Sequence, residues 1–124
     1  MLRIHATCVE IDGGGVLLRG ESGSGKSDLA LRLIDSGARL VADDQVELVA
    51  DAGRLVAAAP RRLAGLMEVR GLGIVALPHL DAVPVRLAVD LVPPAQIERM
   101  PQPQCCNLAG MSVPLLRLAA FEAS

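Results

Sequence analysis

The chain has 124 residues, which is enough for one domain of ordinary size and too few for two. Hydrophobic residues make up 52% of the sequence, so a buried core is expected and disorder is not. The formal net charge of −2 and a single aromatic residue, Phe121, provide neither the basic field nor the stacking surfaces of nucleic-acid-binding proteins. We therefore expect no nucleic-acid partner.

The sequence shows no segment typical of secretion or of a membrane protein. Residues 1–5 do not combine a basic flank with a long apolar run, and no stretch of about 18 apolar residues exists. The three cysteines, Cys8, Cys105 and Cys106, are an odd number without C-x-x-C spacing, which suits neither a disulfide framework nor a zinc site. These features favour a cytoplasmic protein with no membrane partner.

The first half of the chain predicts strands around one clear helix. The helix is expected to begin at the end of a glycine-rich segment near Lys26 and to end at Gly37. Its apolar face is expected to consist of Leu29, Leu31, Leu33 and Ile34, with Ala30. The other predicted elements are a strand over 4–11, a glycine turn over 12–15, strands over 16–19 and 40–42, and a hairpin of 46–49 and 55–57 around 51–53.

The second half predicts strands alone. We expect strands at 66–69 and 74–77 joined by Arg70-Gly71-Leu72-Gly73, a strand at 85–91 and a last strand at 113–118. Four prolines between 93 and 103 predict a loop there. Because strands outnumber helices, the fold class is expected to be α/β with a mixed sheet and few helices.

One motif carries clear chemistry, the segment Gly20-Glu21-Ser22-Gly23-Ser24-Gly25-Lys26-Ser27, which fits G-x-x-x-x-G-K-S/T at every fixed position. The glycines allow successive backbone N–H groups to turn toward phosphate, and the helix that follows adds its positive end. Lys26, the only lysine beside eleven arginines, is expected to contact the β- and γ-phosphates, and Ser27 to bind Mg²⁺. The sequence therefore predicts a site for ATP and Mg²⁺.

Several charged residues are candidates for the same site. Asp43 and Asp44 follow a predicted buried strand, where carboxylates of phosphate-loop proteins contact Mg²⁺ or position the nucleophile; a solvated turn is the alternative interpretation. Glu68, flanked by apolar residues in a predicted strand, is a candidate Mg²⁺ ligand. Arg70 and Arg99 are candidates for stabilising a transferring phosphoryl group, and His5 for orienting phosphate.

These motifs together resemble the catalytic domain of HPr kinase/phosphorylase, the bacterial enzyme that phosphorylates a serine of the phosphocarrier protein HPr. The resemblance is carried by His5, the strand and loop 16–27, the stretch 40–46 around Asp43-Asp44, and the signature-like stretch 66–74; Ile97-Glu98-Arg99 is similar to a later catalytic segment. It implies a phosphate-loop fold akin to phosphoenolpyruvate carboxykinase, a homo-oligomer, hexameric in the family, and HPr or a nitrogen-related HPr paralogue as partner.

The resemblance also implies residue roles. Asp44 would be the base that takes the serine proton and the acid in the reverse phosphorolysis, with Asp43 beside it. Lys26 and Ser27 would act on the phosphates and Mg²⁺, with Glu68 as a metal ligand. His5 and Arg99 would be catalytic supports, and the 70–73 loop would shape the site.

The chain departs from the longer family members in three places. It is similar to short forms without an N-terminal regulatory domain, and Asp28 stands where longer members have Glu. The family's glycine- and arginine-containing segment tied to phosphorolysis has no match in 117–124, and the C-terminal helices are expected to be missing. We therefore expect residues 1–124 to form one kinase domain with stronger support for the kinase direction.

Two other hypotheses stay open from the sequence. The phosphate loop with a missing docking region fits a kinase of a small metabolite. The short length fits a module that senses ATP by binding without turnover.

Overall fold

The computed structural model describes residues 1–100 and 102–119, and within these ranges the chain forms eleven strands and one α-helix. Short 3-10 turns lie at Arg61–Leu63 and Pro94–Gln96. The bounds are β1 Leu2–His5, β2 Thr7–Ile11, β3 Gly14–Arg19, α1 Lys26–Asp35, β4 Arg39–Ala42, β5 Gln45–Asp51, β6 Arg54–Ala58, β7 Leu66–Val69, β8 Gly73–Ala76, β9 Val83–Val92, β10 Gln104–Leu108 and β11 Met111–Ala119.

The main sheet has nine strands and is mixed, which confirms the predicted α/β class with few helices. Its central path runs β1-β5-β6-β9-β3-β2-β4, and β11 also pairs with β9. Strand β9 is parallel to both β3 and β11, whereas the other pairs are antiparallel. Strands β7 and β8 form a separate antiparallel hairpin.

Both faces of the central strands β2, β3 and β9 are buried, because neighbouring residues on each of them enter different core clusters. Cys8 packs into one cluster and Val9 into the other, and the same division separates Leu17 from Leu18 and Ala88 from Val89. This alternation follows from the two-residue period of a strand. The parallel strands β3 and β9 are therefore fixed at the centre of the fold, where they hold the loop that follows β3.

The predicted helix is confirmed as α1, with one correction to its apolar face. Ala30 is fully buried, and Leu29, Leu33 and Ile34 pack against the core. Leu31 is 37% exposed, because it lies on the opposite side of the helix from Ala30 and its neighbours. Gly37, with φ 114°, ends the helix in the left-handed conformation, as the sequence predicts.

The strand predicted over 4–11 is wrong as one element, because the chain breaks at Ala6. β1 pairs with β5, with Leu2 opposite Leu48, whereas β2 pairs with β3 and β4. The Ala6 N–H donates to the Asp44 carbonyl oxygen at 3.2 Å, outside either strand pairing. The two halves are similarly apolar, so the sequence pattern did not reveal that they have different partners.

Three hairpins use a two-residue turn with positive φ at both positions, which is the type I′ geometry that fits strand twist. The turns are Asp12-Gly13, Ala52-Gly53 and Ala109-Gly110. The second confirms the predicted hairpin. The first is shorter than the predicted turn over 12–15, since β3 already begins at Gly14.

The third of these hairpins adds a strand before the predicted last strand. The loop predicted over 93–103 is confirmed for the residues that the structure describes there, which contain only the turn Pro94–Gln96. β10 was not expected, yet it pairs with β11 from Gln104 opposite Leu115 to Leu108 opposite Met111. Within 1–100 and 102–119, no helix is long and apolar enough to cross a membrane.

Candidate active site

The loop between β3 and α1 has the geometry of an anion cradle. Gly23 and Gly25 have φ angles of 82° and 99°, and a Cβ at either position would meet no atom within 4 Å. Gly25 is the N-cap of α1, and no side chain caps the helix start. The first N–H groups of α1 therefore point into an open space at the positive end of the helix, which suits a phosphate group.

Lys26 is held at the base of this cradle. Its Nζ donates to the carbonyl oxygens of Gly20 and Glu21 at 2.8 and 2.9 Å, and the residue is only 7% exposed. Burial lowers the pKa of Lys26, while the negative charges of Asp44 and Asp43 act in the opposite direction. Two of the three ammonium protons are thus committed to the loop, which leaves a third donor for an anionic ligand.

The two adjacent aspartates after β4 have different environments. Asp43 is 7% exposed and accepts three hydrogen bonds, from the Thr7 hydroxyl at 3.0 Å, the Ser27 hydroxyl at 2.9 Å and the Glu68 backbone N–H at 3.1 Å. Through these hydrogen bonds, its carboxylate connects β2, α1 and β7 to the end of β4. Asp43 does not line the cavity above the loop.

Asp44, in contrast, points into the open cavity. Its side chain is 65% exposed, and its Oδ1 lies 3.2 Å from His5 Nδ1. The backbone of Asp44 has φ 72°, which is uncommon for a residue other than glycine and is often found at functional sites. The left-handed backbone at Asp44 separates the two carboxylates, so that they face different surroundings.

The cavity beside the loop has a volume of about 460 Å³, and the β7–β8 hairpin forms its second wall. Glu68 and Arg70 line it from the hairpin, and Lys26, Ser27 and Asp44 from the main sheet and helix. The lining residues are Ser22, Gly23, Gly25, Lys26, Ser27, Asp28, Asp44, Glu68, Val69, Arg70, Gly71 and Gly73. We call this space the phosphate cavity.

Most of the sequence-predicted site residues thus come together, and Arg99 does not join them. Arg99 is exposed, follows the turn Pro94–Gln96 and does not line the phosphate cavity. His5 reaches the site only through its contact with Asp44. Asp28, which departs from the longer family members, lies in the first turn of α1 and lines the cavity.

The residues present fit a magnesium ion held together with phosphate. Mg²⁺ is usually bound by one or two protein oxygens together with substrate phosphates. The Ser27 hydroxyl is oriented by Asp43, and the Glu68 carboxylate lines the same cavity. Within 1–100 and 102–119, no three His, Cys, Asp or Glu side chains converge into a metal cluster.

Sequence reasoning missed Thr7, a fully buried residue whose hydroxyl contacts Asp43. A single threonine in an apolar strand is a common feature, so it gives no warning of a site. The one available signal was its position two residues after His5, in the strand predicted over 4–11. It also missed a second cavity on the far side of the phosphate loop.

The family model and the two relatives compared with this chain are all of HPr kinases. The family model described as HPr Serine kinase C-terminal domain matches residues 1–93. The chain is 49% identical over 78 residues to an HPr kinase/phosphorylase of Clostridium tetani, covering 63% of this chain and 26% of that protein. It is 47% identical over 93 residues to an HPr kinase/phosphorylase of Lactobacillus acidophilus, covering 72% and 29%.

A solved structure agrees over almost the whole length. The HPr(Ser) kinase/phosphatase from Coxiella burnetii superimposes with a TM-score of 0.90 at 28% identity, covering 99% of this chain and 82% of that one. The chain spans between a quarter and a third of the length of the Clostridium and Lactobacillus relatives.

Proposed function

Because this chain belongs to the HPr serine kinase C-terminal domain family, we propose that it is an ATP-dependent protein-serine kinase acting on HPr or an HPr paralogue. The observation that supports this most is the different placement of the two aspartates. Asp43 is buried and accepts three hydrogen bonds, whereas Asp44 is exposed and lines the phosphate cavity. One carboxylate is used for structure, and the other is available for reaction.

In the proposed reaction, Asp44 accepts the proton of the serine hydroxyl as the serine oxygen attacks the γ-phosphorus of ATP. A new oxygen–phosphorus bond forms, the bond between the γ-phosphorus and the bridging oxygen breaks, and ADP leaves with the electron pair. A positioned general base of this kind contributes about 10²–10⁴-fold to rate. His5, 3.2 Å from Asp44 Oδ1, orients the carboxylate and shares its proton afterwards.

The loop supplies the electrostatic part of the proposal. The N–H groups at the start of α1 and the remaining Lys26 donor would hold the phosphates, which sit at the positive end of the helix dipole. Bound Mg²⁺ would neutralise phosphate charge, held by Ser27 and Glu68. Arg70 lies in the same cavity and would add positive charge near the transferred group. The role predicted for Arg99 stays a prediction.

The reverse direction, phosphorolysis of the phosphoserine, would use the same residues with Asp44 as the acid. The Clostridium relative is an HPr kinase/phosphorylase, and the Coxiella structure is that of an HPr(Ser) kinase/phosphatase. We also propose that the protein is cytoplasmic and that it forms a homo-oligomer, hexameric by resemblance to the family. Light scattering of the purified chain would test the oligomeric state.

The experiment is to incubate the purified chain with γ-labelled ATP, Mg²⁺ and HPr, with HPr carrying Ser→Ala at its acceptor serine as the matched control. We expect label on HPr and none on the control. If ATP is consumed while HPr stays unlabelled, the metabolite-kinase hypothesis takes its place. If ATP binds without any turnover, the chain is a sensor module instead.

A further inference from the structure

Two cavities lie on either side of the phosphate loop, residues 20–27. The proposed function places a ligand in only one of them, the phosphate cavity. The second has a volume of about 520 Å³ and lies against the outer side of the loop and the carboxyl end of β9. Its walls include Arg19, Asp90, Val92 and Gln96. Ser22 lines both cavities, so they adjoin at this residue.

The two cavities differ in chemical character. The surface of the phosphate cavity is mostly polar, whereas that of the second cavity is mostly apolar. The charged pair in the second cavity is already satisfied, because Arg19 donates to both carboxylate oxygens of Asp90 at 2.7 and 3.0 Å. The remaining charged residue of this wall is Glu21, an exposed carboxylate that would repel a phosphate group. A wall that is mostly apolar and carries this extra negative charge suits an uncharged ring better than another phosphate group.

An unsatisfied hydroxyl provides a second, independent observation. The Ser24 Oγ is buried and has no hydrogen-bond partner among the residues that the structure describes. Ser24 lines the second cavity, and its Oγ lies only 2.5 Å from where a Cβ on Gly20 would be, so the hydroxyl fills the space that this glycine leaves. A buried hydroxyl without a partner is costly, and a sugar oxygen at the loop would supply one.

We propose that the second cavity holds the nucleoside of the nucleotide, base and ribose together, while its phosphates occupy the phosphate cavity. The inference rests on the proposed function, since it needs a nucleotide to bind the loop. The volume lies within the range of about 300–1,000 Å³ that is usual for small-molecule sites. A third cavity, of about 330 Å³ between Gln96 and Arg117, shares no residue with the phosphate cavity and cannot receive a linked nucleoside.

The carboxyl ends of parallel strands support this placement. β3 and β9 are parallel, with Arg19 opposite Asp90, and both cavities open at the end where these strands finish. Ligands of α/β sheets bind at this edge. The Arg19–Asp90 ion pair thus joins the two strands and forms the floor of the nucleoside subsite.

The test compares ATP with inorganic tripolyphosphate, which has the phosphates but no nucleoside. Gln96 is exposed at the rim, so Gln96→Trp places an indole in the second cavity without disturbing the core. Ala95→Trp is the matched control, because Ala95 is exposed in the same turn and does not line the cavity. Affinities of the full chain for both ligands are measured by titration calorimetry with Mg²⁺.

We expect Gln96→Trp to weaken ATP binding at least tenfold and to change tripolyphosphate binding less than twofold, with Ala95→Trp unchanged for both. Equal ATP affinity of Gln96→Trp and the parent would overturn the nucleoside subsite and leave the phosphate site standing. A parent chain that binds neither ligand would overturn the proposed function, and the subsite with it.

If Gln96→Trp loses both ligands because it does not fold, photolabelling of the parent chain decides. With 8-azido-ATP bound, we expect the adduct on peptides that contain residues 90–96. Adducts confined to other parts of the chain would overturn the proposal.

Discussion

The hydroxyl of Ser27 donates to Asp43 Oδ1 at 2.9 Å, and the same oxygen accepts the Thr7 hydroxyl at 3.0 Å. Through this one atom, the start of α1 is fixed to strand β2. The other carboxylate oxygen binds the Glu68 backbone N–H at the edge of the hairpin. The phosphate loop, the central sheet and the hairpin wall of the cavity therefore depend on a single buried carboxylate.

Thr7 is expected to act as a positioning residue for this carboxylate. Thr7→Val keeps the shape and removes the hydroxyl, so Asp43 loses a donor in a buried place. Hydrogen bonds to charged groups are worth about 1.5–3 kcal/mol, and we expect a loss of that size in the free energy of unfolding measured with urea. Because Ser27 then loses its fixed orientation, the Mg²⁺ concentration needed for half-maximal ATP binding should also rise.

Thr7→Ser is the matched control, since it restores the hydroxyl and should recover the Mg²⁺ dependence. A Thr7→Val chain that is less stable but has an unchanged Mg²⁺ requirement would show that Thr7 is purely structural.

Gly25 is expected to be required for phosphate binding because of its backbone conformation. At φ 99° a side chain is strained, so Gly25→Ala should cost about 1–2 kcal/mol of stability and close the cradle. Gly53 has φ 78° in the β5–β6 turn, with equally open space, and does not line the phosphate cavity. Gly53→Ala should lose similar stability and keep parental ATP affinity, whereas Gly25→Ala should lose ATP binding in calorimetry. Equal ATP affinities of the two variants would contradict this account of the loop.

Glu10 is expected to make the fold sensitive to acid. Its carboxylate accepts the Gly13 backbone N–H at 3.0 Å and Arg39 Nε at 2.8 Å, and these contacts lower its pKa from the ordinary value of 4.5. A lowered pKa in the folded state means that stability is fully present above pH 4.5 and is lost as the pH falls through the folded value. Urea midpoints between pH 6 and pH 3 should decline less steeply for Glu10→Gln than for the parent. Parallel curves would exclude Glu10 as a source of the acid sensitivity.

The sequence predicted the phosphate loop and α1 well, because both depend on local chemistry. Glycines, a lysine and an apolar helical face lie within 18 consecutive residues, 20–37, and little outside them is needed to specify the shape. The break at Ala6 and the strand β10 were missed because strand pairing depends on distant partners. β1 pairs with β5 more than 40 residues away, as Leu2 opposite Leu48 shows, and no local pattern encodes that choice.

The sequence predicted that Asp43 and Asp44 lie at the site of the phosphate loop, but it did not distinguish their roles. Adjacent aspartates are equivalent in a sequence, and only the left-handed backbone of Asp44 turns one carboxylate outward while Asp43 stays buried. The Thr7 and Glu68 contacts that hold Asp43 arise from strands far apart along the chain. The second cavity similarly depends on where β9 ends beside the loop.

The central claim is that Asp44 accepts the serine proton while Asp43 holds the site together, and the two amide variants test it most directly. In single-turnover labelling of HPr, we expect Asp44→Asn to bind Mg²⁺ and ATP normally, to unfold at the parental urea concentration, and to transfer phosphate about 10²–10⁴-fold more slowly. Asp43→Asn should instead lower the urea midpoint and weaken ATP binding, because an amide cannot accept all three hydrogen bonds. Transfer by Asp44→Asn within a few-fold of the parental rate would contradict the account.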